Sequence, residues 1–404
     1  MNTPGPSVAV VSPFVDKRHG TERCLAEQLE RLAGDYEIHL FSSRVEDLDL
    51  SGIVWHPVPG IPGPEIVKFL WWFAANPIAR WRESRKSGRA FDLVYSPGAN
   101  CLDADVIVVH HLFASQLERV SAELRWRCHR LRAWPALAHR RLYYGLLARL
   151  ERRIYSRPQA ALAAVSRAMA AELAQRFHRG DRIAVLYNGV DRAVFNPLVR
   201  GQRRECERRK LGFAREEVVA LLIGNDWAKK GLPCLIEALA ELPGLPVRAL
   251  VLGRDARQPY LDRAKRLGVA DRVVFADSNR DVMRFFAAAD LYAAPSVYDP
   301  FGLPVLEAMS CGLPVVASRA MGAAELLSDG VDGLLLDDPR DATSLAGRIR
   351  QLATDGTLRE RLGRNAAETA GKFTWDANAE AVKRLFGCAL ERKRRTARGG
   401  VPQA

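Results

Sequence analysis

The chain has 404 residues, of which 48% are hydrophobic and 26% are charged. These proportions are typical of a soluble globular protein, and the length suits about two domains. Lys and Arg outnumber Asp and Glu by 60 to 47, so the formal net charge is +13. The seven cysteines occur singly, without a CxxC pair or a His-Cys cluster. This spacing argues against a zinc site or a disulfide framework.

The first half of the chain alternates strand and helix patterns. The run SVAVVSP at 7–13 predicts a buried strand, and a helix pattern follows from Thr21 to Leu32. Further strands are predicted at 36–42, 91–98, 105–111 and 160–166, with helices at 113–155 and 166–178. This alternation predicts a parallel α/β sheet with right-handed crossovers.

A second series of the same kind follows a polar, Arg-rich connector at 196–216. Its strands are predicted at 218–224, 246–253, 272–277, 291–296, 313–318 and 333–338, with helices at 231–242, 257–268, 280–289, 303–311 and 340–354. We therefore expect two Rossmann-like, doubly wound domains, 1–196 and 197–372, facing a central cleft at the carboxyl ends of their strands. Residues 373–404 are expected to form a helix that packs back toward the first domain and a basic tail.

The amino terminus and the apolar stretches suggest where the protein works. The start, MNTPGPSVAVVSPF, lacks a charged region followed by a long apolar run, so it does not resemble a signal peptide. No stretch reaches the roughly 18 apolar residues that a membrane span needs. Together with single cysteines, which fit a reducing compartment, these features predict a cytoplasmic protein.

Two segments concentrate positive charge and aromatic side chains. Residues 66–90 hold six Lys or Arg against one Glu, and residues 117–157 hold eleven Arg against three Glu. Basic residues mixed with Trp and Tyr favour an anionic membrane surface over the reading of nucleic-acid bases. We expect peripheral contact with the inner face of the cell membrane and no nucleic-acid partner, although a merely solvated basic face explains the charge nearly as well.

Two strand ends in the first domain carry candidate residues. Gly20 precedes Thr21 at the first strand-to-helix turn, where a glycine lets a backbone N–H approach an anion or a sugar. A simple turn glycine followed by Thr21 as N-cap is an equal alternative. His110 and His111 end the strand 105–111 on opposite faces, so one of them is placed to enter the cleft, and a core histidine is the alternative.

The second domain opens with LLIGNDWAKKGLPCLIEAL, in which a glycine and a polar loop join a strand to a helix. Lys230 stands beside the helix N-terminus, and both features favour a phosphate group. The alternative is a solvated loop lysine, which is our interpretation of Lys229. After strand 272–277, Ser278 and Asn279 are placed to contact the edge of a nucleobase, and Ser278 is equally suited to cap the next helix.

The stretch YDPFGLPVLEAMSCGLPVVAS places Asp299 eight residues before Glu307. Were it all helix, the carboxylates would lie about 12 Å apart, whereas a retaining glycosidase pair needs ~5 Å and an inverting pair at most roughly 9.5 Å. A hydrolytic pair is therefore disfavoured. The loop instead offers the N–H groups of Phe301, Gly302 and Leu303 to a diphosphate. Glu307, one turn into the helix, is placed to accept two ribose hydroxyls.

This stretch resembles the E-x7-E signature of the retaining, GT-B fold glycosyltransferases of family 4, also called glycosyl transferases group 1. The resemblance extends to the glycine loop at 20, YNGVDRAVF at 187–195, KKG at 229–231, AAADLYAAPS at 287–296 and MGAAELLSDGVDGLLL at 321–336. GNDWAKKG and GRDARQPYLDRAKRLGVADRVVF look most similar to the lipopolysaccharide-core heptose glucosyltransferases.

The resemblance implies metal-independent transfer of a hexose, with retention of configuration, from a nucleoside diphosphate sugar to a lipid-linked or lipopolysaccharide-type saccharide. It favours a UDP-sugar as donor and implies no cofactor and no metal site. The strings DAD at 103–105 and DLD at 47–49 mimic the DxD metal signature of another glycosyltransferase fold, and we interpret both as surface charge.

The resemblance also assigns roles to residues. It implies that Glu307 holds the ribose, that the N–H groups of Gly302 and Leu303 hold the diphosphate, and that Lys230 neutralises the leaving group. It implies that Asp299 touches the sugar hydroxyls and that His110 lies near the anomeric centre. Gly20 would approach the diphosphate or the acceptor. Three positions depart from the family pattern. Asp299 replaces a glutamate, Asn225 or Asp226 stands where an arginine is common, and His19-Gly20 replaces Gly-Gly. Asn225 remains a candidate donor-binding residue.

Two other functions stay open. Another GT-B enzyme, such as a sugar-nucleotide epimerase, would act on the donor without an acceptor and would not need the basic aromatic segments. A non-catalytic module would bind a membrane or nucleic acid through its basic surface and keep only a vestigial cleft. The presence of Lys230, the Phe-Gly turn and Glu307 argues against this second alternative.

Overall fold

The structure is a computed structural model that describes residues 5–118, 134–180, 183–277 and 281–397. Backbone contacts divide the chain into two units, Met1–Leu186 with Asn378–Ala404, and Tyr187–Ala377. The predicted boundary between residues 196 and 197 lies farther along the chain. Residues 187–196 fall in the second unit because Val190 pairs with Thr374 and donates its N–H to the carbonyl of Phe373.

The first unit contains a seven-stranded sheet whose strand pairs are all parallel. Its strands and helices in chain order are β1 (Ser7–Val11), β2 (Phe14–Val15), α1 (Gly20–Leu32), β3 (Glu37–Ser42), β4 (Arg44–Val45), β5 (Ile53–Pro57), α2 (Glu65–Ser87), β6 (Leu93–Ser96), β7 (Val106–Val109), α3 (Trp134–Tyr155), β8 (Ala161–Ala164), α4 (Arg167–Phe177) and β9 (Ala184–Val185). The sheet order is β5-β3-β1-β6-β7-β8-β9, and β2 pairs with β4 separately. The central strands are buried on both faces, which explains their near-continuous Val and Ala runs.

The second unit contains a six-stranded parallel sheet in the order β12-β11-β10-β13-β14-β15. Its elements are α5 (Pro197–Leu211), β10 (Val218–Ile223), α6 (Leu232–Ala240), β11 (Val247–Leu252), α7 (Gln258–Arg266), β12 (Val273–Ala276), α8 (Met283–Ala288), β13 (Leu291–Ala294), α9 (Leu303–Ser310), β14 (Val315–Ser318), β15 (Leu334–Leu336), α10 (Ala342–Thr354) and α11 (Gly356–Ala370). A last helix, α12 (Trp375–Ala397), ends the described chain. Counted by appearance, the order is 3-2-1-4-5-6, the order of a Rossmann sheet.

The structure confirms the predicted fold of two doubly wound α/β domains. The connector at 196–216 is, however, mostly helix α5. The Asn196 side chain accepts the N–H of Val199 at the start of α5, and Gly212, with φ +73°, ends the helix. Of the predicted helix 113–155, residues 119–133 lie outside the described residues.

Helix α2 occupies most of the basic segment 66–90, for which the sequence predicted no secondary structure. On its inner side Arg80, 6% exposed, donates to both carboxylate oxygens of Asp103 at 2.7 and 2.8 Å. Asp105 accepts the backbone N–H of Val94 at 2.8 Å and binds Lys393 at 3.0 Å. The Asp103 side chain is 58% exposed, in agreement with its interpretation as surface charge, and that of Asp105 is 21% exposed; each also anchors a neighbouring element.

Candidate functional site

The candidate site lies in the second unit, where β10 and β13 run side by side and the chain turns in opposite directions after them. In open α/β sheets such a switch point is where ligands bind. A pocket at this place is lined by Leu222, Ile223, Lys230, Tyr292, Ala293, Ala294, Ser296, Asp299, Gly302, Pro304, Val305 and Met321. It contains three of the predicted site residues, Lys230, Asp299 and Gly302.

Lys230 reaches the pocket because a glycine leaves room for its side chain. Gly224, directly after β10, has φ +147°, and a Cβ there would lie 2.6 Å from Cε of Lys230. Any larger residue at 224 would force the lysine aside. In the predicted order of strand, glycine, lysine and helix, the lysine side chain therefore packs over Gly224 and brings its ammonium group to the pocket.

The loop between Gly224 and Lys230 is held by a carboxylate that the sequence did not single out. Asp255 accepts the N–H of Asp226 at 3.0 Å and of Trp227 at 2.6 Å. The side-chain oxygen of Asn225, a predicted donor-binding residue, accepts the N–H of Arg254 at 3.1 Å. A short polar loop after β11 thus fixes the loop after β10, and the only sequence signal was a Gly-Arg-Asp run at a strand end.

Lys230 and Asp299 form an ion pair in this pocket. The Lys230 Nζ lies 2.5 Å from Oδ2 of Asp299, and their side chains are 20% and 11% exposed. The other oxygen, Oδ1, accepts the backbone N–H of Phe301 at 3.3 Å. The expectation that this N–H is free is therefore wrong, because the neighbouring aspartate already binds it.

The Phe-Gly turn and helix α9 form the opposite wall. Gly302 has φ +93°, a backbone conformation that favours glycine, and a Cβ there would lie 2.5 Å from Cε of Met321. Within the described part of the chain, no acceptor is found for the N–H groups of Gly302 and Leu303 at the start of α9. Glu307 lies one turn into α9 and is 4% exposed.

A 3-10 turn at Gly322–Leu326 clamps the Phe-Gly turn from outside. Gly322 donates its N–H to the carbonyl of Asp299 at 2.9 Å, and Ala323 donates to that of Phe301 at 2.7 Å. The sequence MGAAELL contributed to the family resemblance, but it carried no sign of this contact.

His110 lies in the first unit, one residue past the end of β7 rather than on the strand. It is 8% exposed, and its Nε2 has no hydrogen-bond partner among the described residues. Burial, with a smaller effect of His111, lowers the pKa of His110 to about 3. The imidazole is therefore neutral near pH 7 and can offer a hydrogen bond but no positive charge.

The backbone after His110 is tied down by Glu151 of α3, which is fully buried. Its two oxygens accept the N–H groups of Phe113 and Ala114 at 2.8 and 2.9 Å. Burial raises the pKa of Glu151 to about 7, against the lowering effect of these hydrogen bonds. The sequence did not single out this glutamate, since 38 residues separate it from Phe113.

Gly20 is exposed and is the first residue of α1. His19 occupies the N-cap position without a side-chain cap hydrogen bond, so the alternative in which Thr21 is the N-cap is wrong. Buried Asp16 accepts the N–H groups of Arg18 and His19 and binds Nδ1 of His19 at 2.8 Å. The His19-Gly20 departure is thus a structured turn.

The predicted site residues divide between the two units. Gly20 and His110 belong to the first unit, whereas Asn225, Lys230, Asp299, Phe301, Gly302, Leu303 and Glu307 belong to the second. Ser278 and Asn279 lie outside the described residues. Among the residues described, no group of three or more His, Cys, Asp or Glu side chains is arranged to hold a metal ion. Over the same ranges, no helix is both long and apolar enough to cross a membrane.

Comparison with known proteins agrees with this architecture. The family model Glycosyltransferase Family 4 matches residues 18–194, and the model Glycosyl transferases group 1 matches residues 203–369. A D-inositol 3-phosphate glycosyltransferase of Xylanimonas cellulosilytica is 32% identical over 307 residues, which cover 72% of this chain and 73% of the relative. The chain therefore belongs to the family 4 (group 1) glycosyltransferases.

Other proteins named D-inositol 3-phosphate glycosyltransferase match over about half of their own length. Among solved structures, WaaG, a glycosyltransferase involved in lipopolysaccharide biosynthesis, superposes with a TM-score of 0.73 at 21% identity and covers 93% of this chain and 98% of its own. Anabaena HepE in complex with UDP-glucose gives 0.68 at 23% identity, covering 95% and 99%. These likenesses establish the GT-B fold.

Proposed function

We propose that this protein is a retaining glycosyltransferase that moves a hexose from a nucleoside diphosphate sugar, with a UDP-sugar favoured, to a saccharide acceptor. The observation that carries the proposal is the pocket after β10 and β13. There the Lys230 ammonium lies beside the Phe-Gly turn, and the N–H groups of Gly302 and Leu303 stand at the start of α9. Family membership supports glycosyl transfer, and the HepE complex supports UDP-glucose as a donor to test.

The chemistry of these groups suits a departing diphosphate. As the bond between the anomeric carbon and the diphosphate breaks, negative charge develops on the leaving oxygens. An ammonium group and the N–H groups at a helix start stabilise that charge without moving. In the proposal the acceptor hydroxyl attacks the anomeric carbon on the face that the diphosphate leaves, and its proton passes to the departing phosphate. No metal ion is required, since Lys230 supplies the positive charge.

Other residues orient the donor and the acceptor. Glu307, buried one turn into α9, is proposed to accept hydrogen bonds from two ribose hydroxyls. Asp299 is proposed to exchange its contact with Lys230 for the hydroxyls of the donor sugar. His110, neutral near pH 7, is proposed to hydrogen-bond near the anomeric centre rather than to donate a proton as an imidazolium.

The acceptor is proposed to be a lipid-linked or lipopolysaccharide-type saccharide on the cytoplasmic face of the membrane. The basic aromatic segments 66–90 and 117–157 support this placement. A phosphorylated polyol is the second acceptor class, and the 32% identity with a D-inositol 3-phosphate glycosyltransferase favours testing it.

Donor binding is the first test. UDP is expected to raise the Tm of the protein more than ADP or GDP does. Lys230→Ala is expected to weaken UDP binding about tenfold or more, because a charge-assisted contact contributes roughly 1.5–3 kcal/mol. Isothermal titration with UDP measures this change.

Lys229→Ala is the matched control, because it removes a neighbouring ammonium group that lies over Tyr298 instead. Equal losses in the two variants, or no stabilisation by any nucleoside diphosphate, would rule out the proposed donor site. With UDP-glucose and D-inositol 3-phosphate or a lipid-linked saccharide, NMR of the product reports the anomer. An inverted product would overturn retention while leaving the transfer itself standing.

A further inference from the structure

Helix α2 turns an apolar stripe toward solvent. Five large apolar side chains on it are exposed: Val67 at 42%, Leu70 at 49%, Trp71 at 44%, Ile78 at 50% and Trp81 at 55%. Their spacing of three, four and seven residues places them along one side of the helix. A surface helix of a globular domain normally turns such a stripe toward the core.

The inner side of α2 explains why the stripe cannot turn inward. Trp72, Asn76 and Arg80 are 5%, 0% and 6% exposed. Asn76 donates to the carbonyl of Trp72 at 2.9 Å, and Arg80 makes its double contact with Asp103. Rotating the helix to bury the stripe would break this charge pair and expose Trp72. The rotation of α2 is therefore fixed by polar contacts, and the apolar side is left to solvent.

One tryptophan of the stripe is also anchored by a hydrogen bond. Trp71 donates its indole N–H to the carbonyl of Pro59 at 2.7 Å, so its polar atom is satisfied by the protein itself. What Trp71 presents outward is apolar ring surface. Apolar surface that is gathered on one side and held in place marks an interaction site more often than scattered exposed residues do.

Positive charge surrounds the stripe. On α2 itself, Lys68, Arg82, Arg85 and Lys86 are exposed. The Arg85 guanidinium lies 4.6 Å from the ring centre of Trp81. Of the two α2 glutamates, Glu83 is turned toward His56 at 3.7 Å, and Glu65 binds Lys68 at 2.9 Å. The net positive rim matches an anionic surface.

Helix α3 extends this surface. Phe69 of α2 contacts Tyr143 of α3, with ring centres 6.2 Å apart. Beside Tyr143, the Leu142 side chain is 62% exposed, and Arg140 and Arg141 are exposed as well. Apolar residues flanked by arginines thus continue from one helix to the next.

We propose that the stripe of α2 docks on an anionic lipid bilayer, with the helix lying in the plane of the interface. Trp71, Trp81 and the aliphatic residues enter the headgroup region, while the flanking Lys and Arg side chains bind lipid phosphates. The inference deepens the proposed function, on which its purpose rests, by naming the surface that brings the enzyme to a lipid-linked acceptor.

The test compares vesicle binding of two double variants. Ile78→Ser/Trp81→Ser removes two stripe residues, and Leu198→Ser/Val331→Ser removes two exposed apolar residues, 70% and 52% exposed, from the second unit. Co-sedimentation uses vesicles of phosphatidylcholine with and without phosphatidylglycerol, at low and high salt. The stripe variant is expected to lose about tenfold or more in partitioning. The control variant is expected to bind like the wild type, and salt is expected to weaken wild-type binding.

Three results would overturn the inference. One is wild-type binding that does not depend on phosphatidylglycerol, and another is equal binding by the two double variants. The third is a concentration-dependent dimer that the stripe variant abolishes, without vesicle binding, because the stripe would then pair with a second copy. UDP titration of the same proteins keeps the two proposals apart. If the wild type does not bind UDP, the proposed donor site is rejected, while the result on lipid binding stands by itself.

Discussion

The carboxylate of Asp299 binds the Lys230 ammonium group, which we propose as a contact of the donor diphosphate. One oxygen lies 2.5 Å from the Lys230 ammonium, and the other accepts the N–H of Phe301. A negatively charged ligand that binds Lys230 would therefore compete with an internal anion for this ammonium group. The aspartate is one methylene shorter than the glutamate of the family signature, and in this chain it reaches the lysine directly.

Asp299→Asn is expected to bind UDP more tightly than the wild type, by a few fold, because it removes the competing charge while keeping the size of the side chain. Sugar transfer is expected to fall at the same time, since a carboxylate that accepts sugar hydroxyls is lost. Isothermal titration with UDP and a transfer assay measure the two effects. Asp271→Asn is the control, because it removes an exposed charge just before the edge strand β12, whereas the pocket lies after the central strands β10 and β13. Unchanged or weaker UDP binding in Asp299→Asn would show that the pair does not compete with the donor.

His110 makes the stability of the first unit depend on pH. Its pKa falls from the ordinary 6.5 to about 3 in the folded chain because burial disfavours the charged imidazole. Below about pH 6.5 the unfolded chain therefore binds a proton that the folded chain does not. As the pH falls below 6.5, this histidine should therefore lower the free energy of unfolding by up to roughly 1.4 kcal/mol per pH unit. The decrease should end when the pH approaches the pKa of His110 in the folded chain.

Urea unfolding of the wild type and of His110→Gln at pH 7 and pH 5 measures this decrease as the difference between the two proteins, because the opposite effect of the raised pKa of Glu151 is common to both. His178→Asn serves as the control, because His178 is exposed and its φ of +52° suits asparagine. If the wild type and His110→Gln lose stability equally between these pH values, then His110 titrates normally and is not desolvated.

A site residue could be predicted when its partners lie near it in the sequence, and could not when they lie far away along the chain. Lys230, next to a helix start, and Glu307, one turn into a helix, were proposed from such local patterns. Asp255 and Glu151 act by binding the backbone of loops that are distant in sequence. Nothing local distinguishes such a carboxylate from a solvated one, and only the folded chain reveals its partners.

Among the elements, the central strands were predictable and two helices were not. Strands such as β1 and β10 are apolar on both faces, so their composition alone indicated burial. Helix α5 turns Arg208, 5% exposed, inward, where it binds Asp290 at 2.9 Å and the carbonyl of Ala288 at 3.0 Å. A helix whose inner side is basic has no inward apolar period to detect. In α2 the apolar period lies on the exposed side, while Asn76 and Arg80 face inward, so the period does not mark the buried side.

At the scale of the whole molecule, most of helix α12 belongs to the first unit, although it follows the second unit in the sequence. Phe386 of α12 packs edge-on against Tyr36 and Tyr95, with ring centres 5.3 and 5.2 Å away. Next to them Gln28 donates to Asn378 at 2.9 Å and accepts the hydroxyl of Tyr95 at 2.5 Å. The sequence predicted a helix here, but its partner residues, more than 290 positions earlier, could not be identified from any local pattern.

Phe386→Ala is therefore expected to lower the free energy of unfolding of the first unit by about 3–5 kcal/mol, the usual cost of removing a buried phenyl ring. UDP affinity is expected to stay unchanged, because the proposed donor pocket belongs entirely to the second unit. Phe213→Ala, which removes a buried ring from the second unit, is the matched comparison.

Urea unfolding with and without UDP, followed by limited proteolysis with mass spectrometry, assigns each transition to its unit. UDP should protect the unit that Phe213→Ala weakens, since a ligand stabilises only the folded unit that binds it. Protection of the unit weakened by Phe386→Ala would instead place the donor site among the residues of the first unit. That result would contradict the assignment of Lys230 and the Phe-Gly turn.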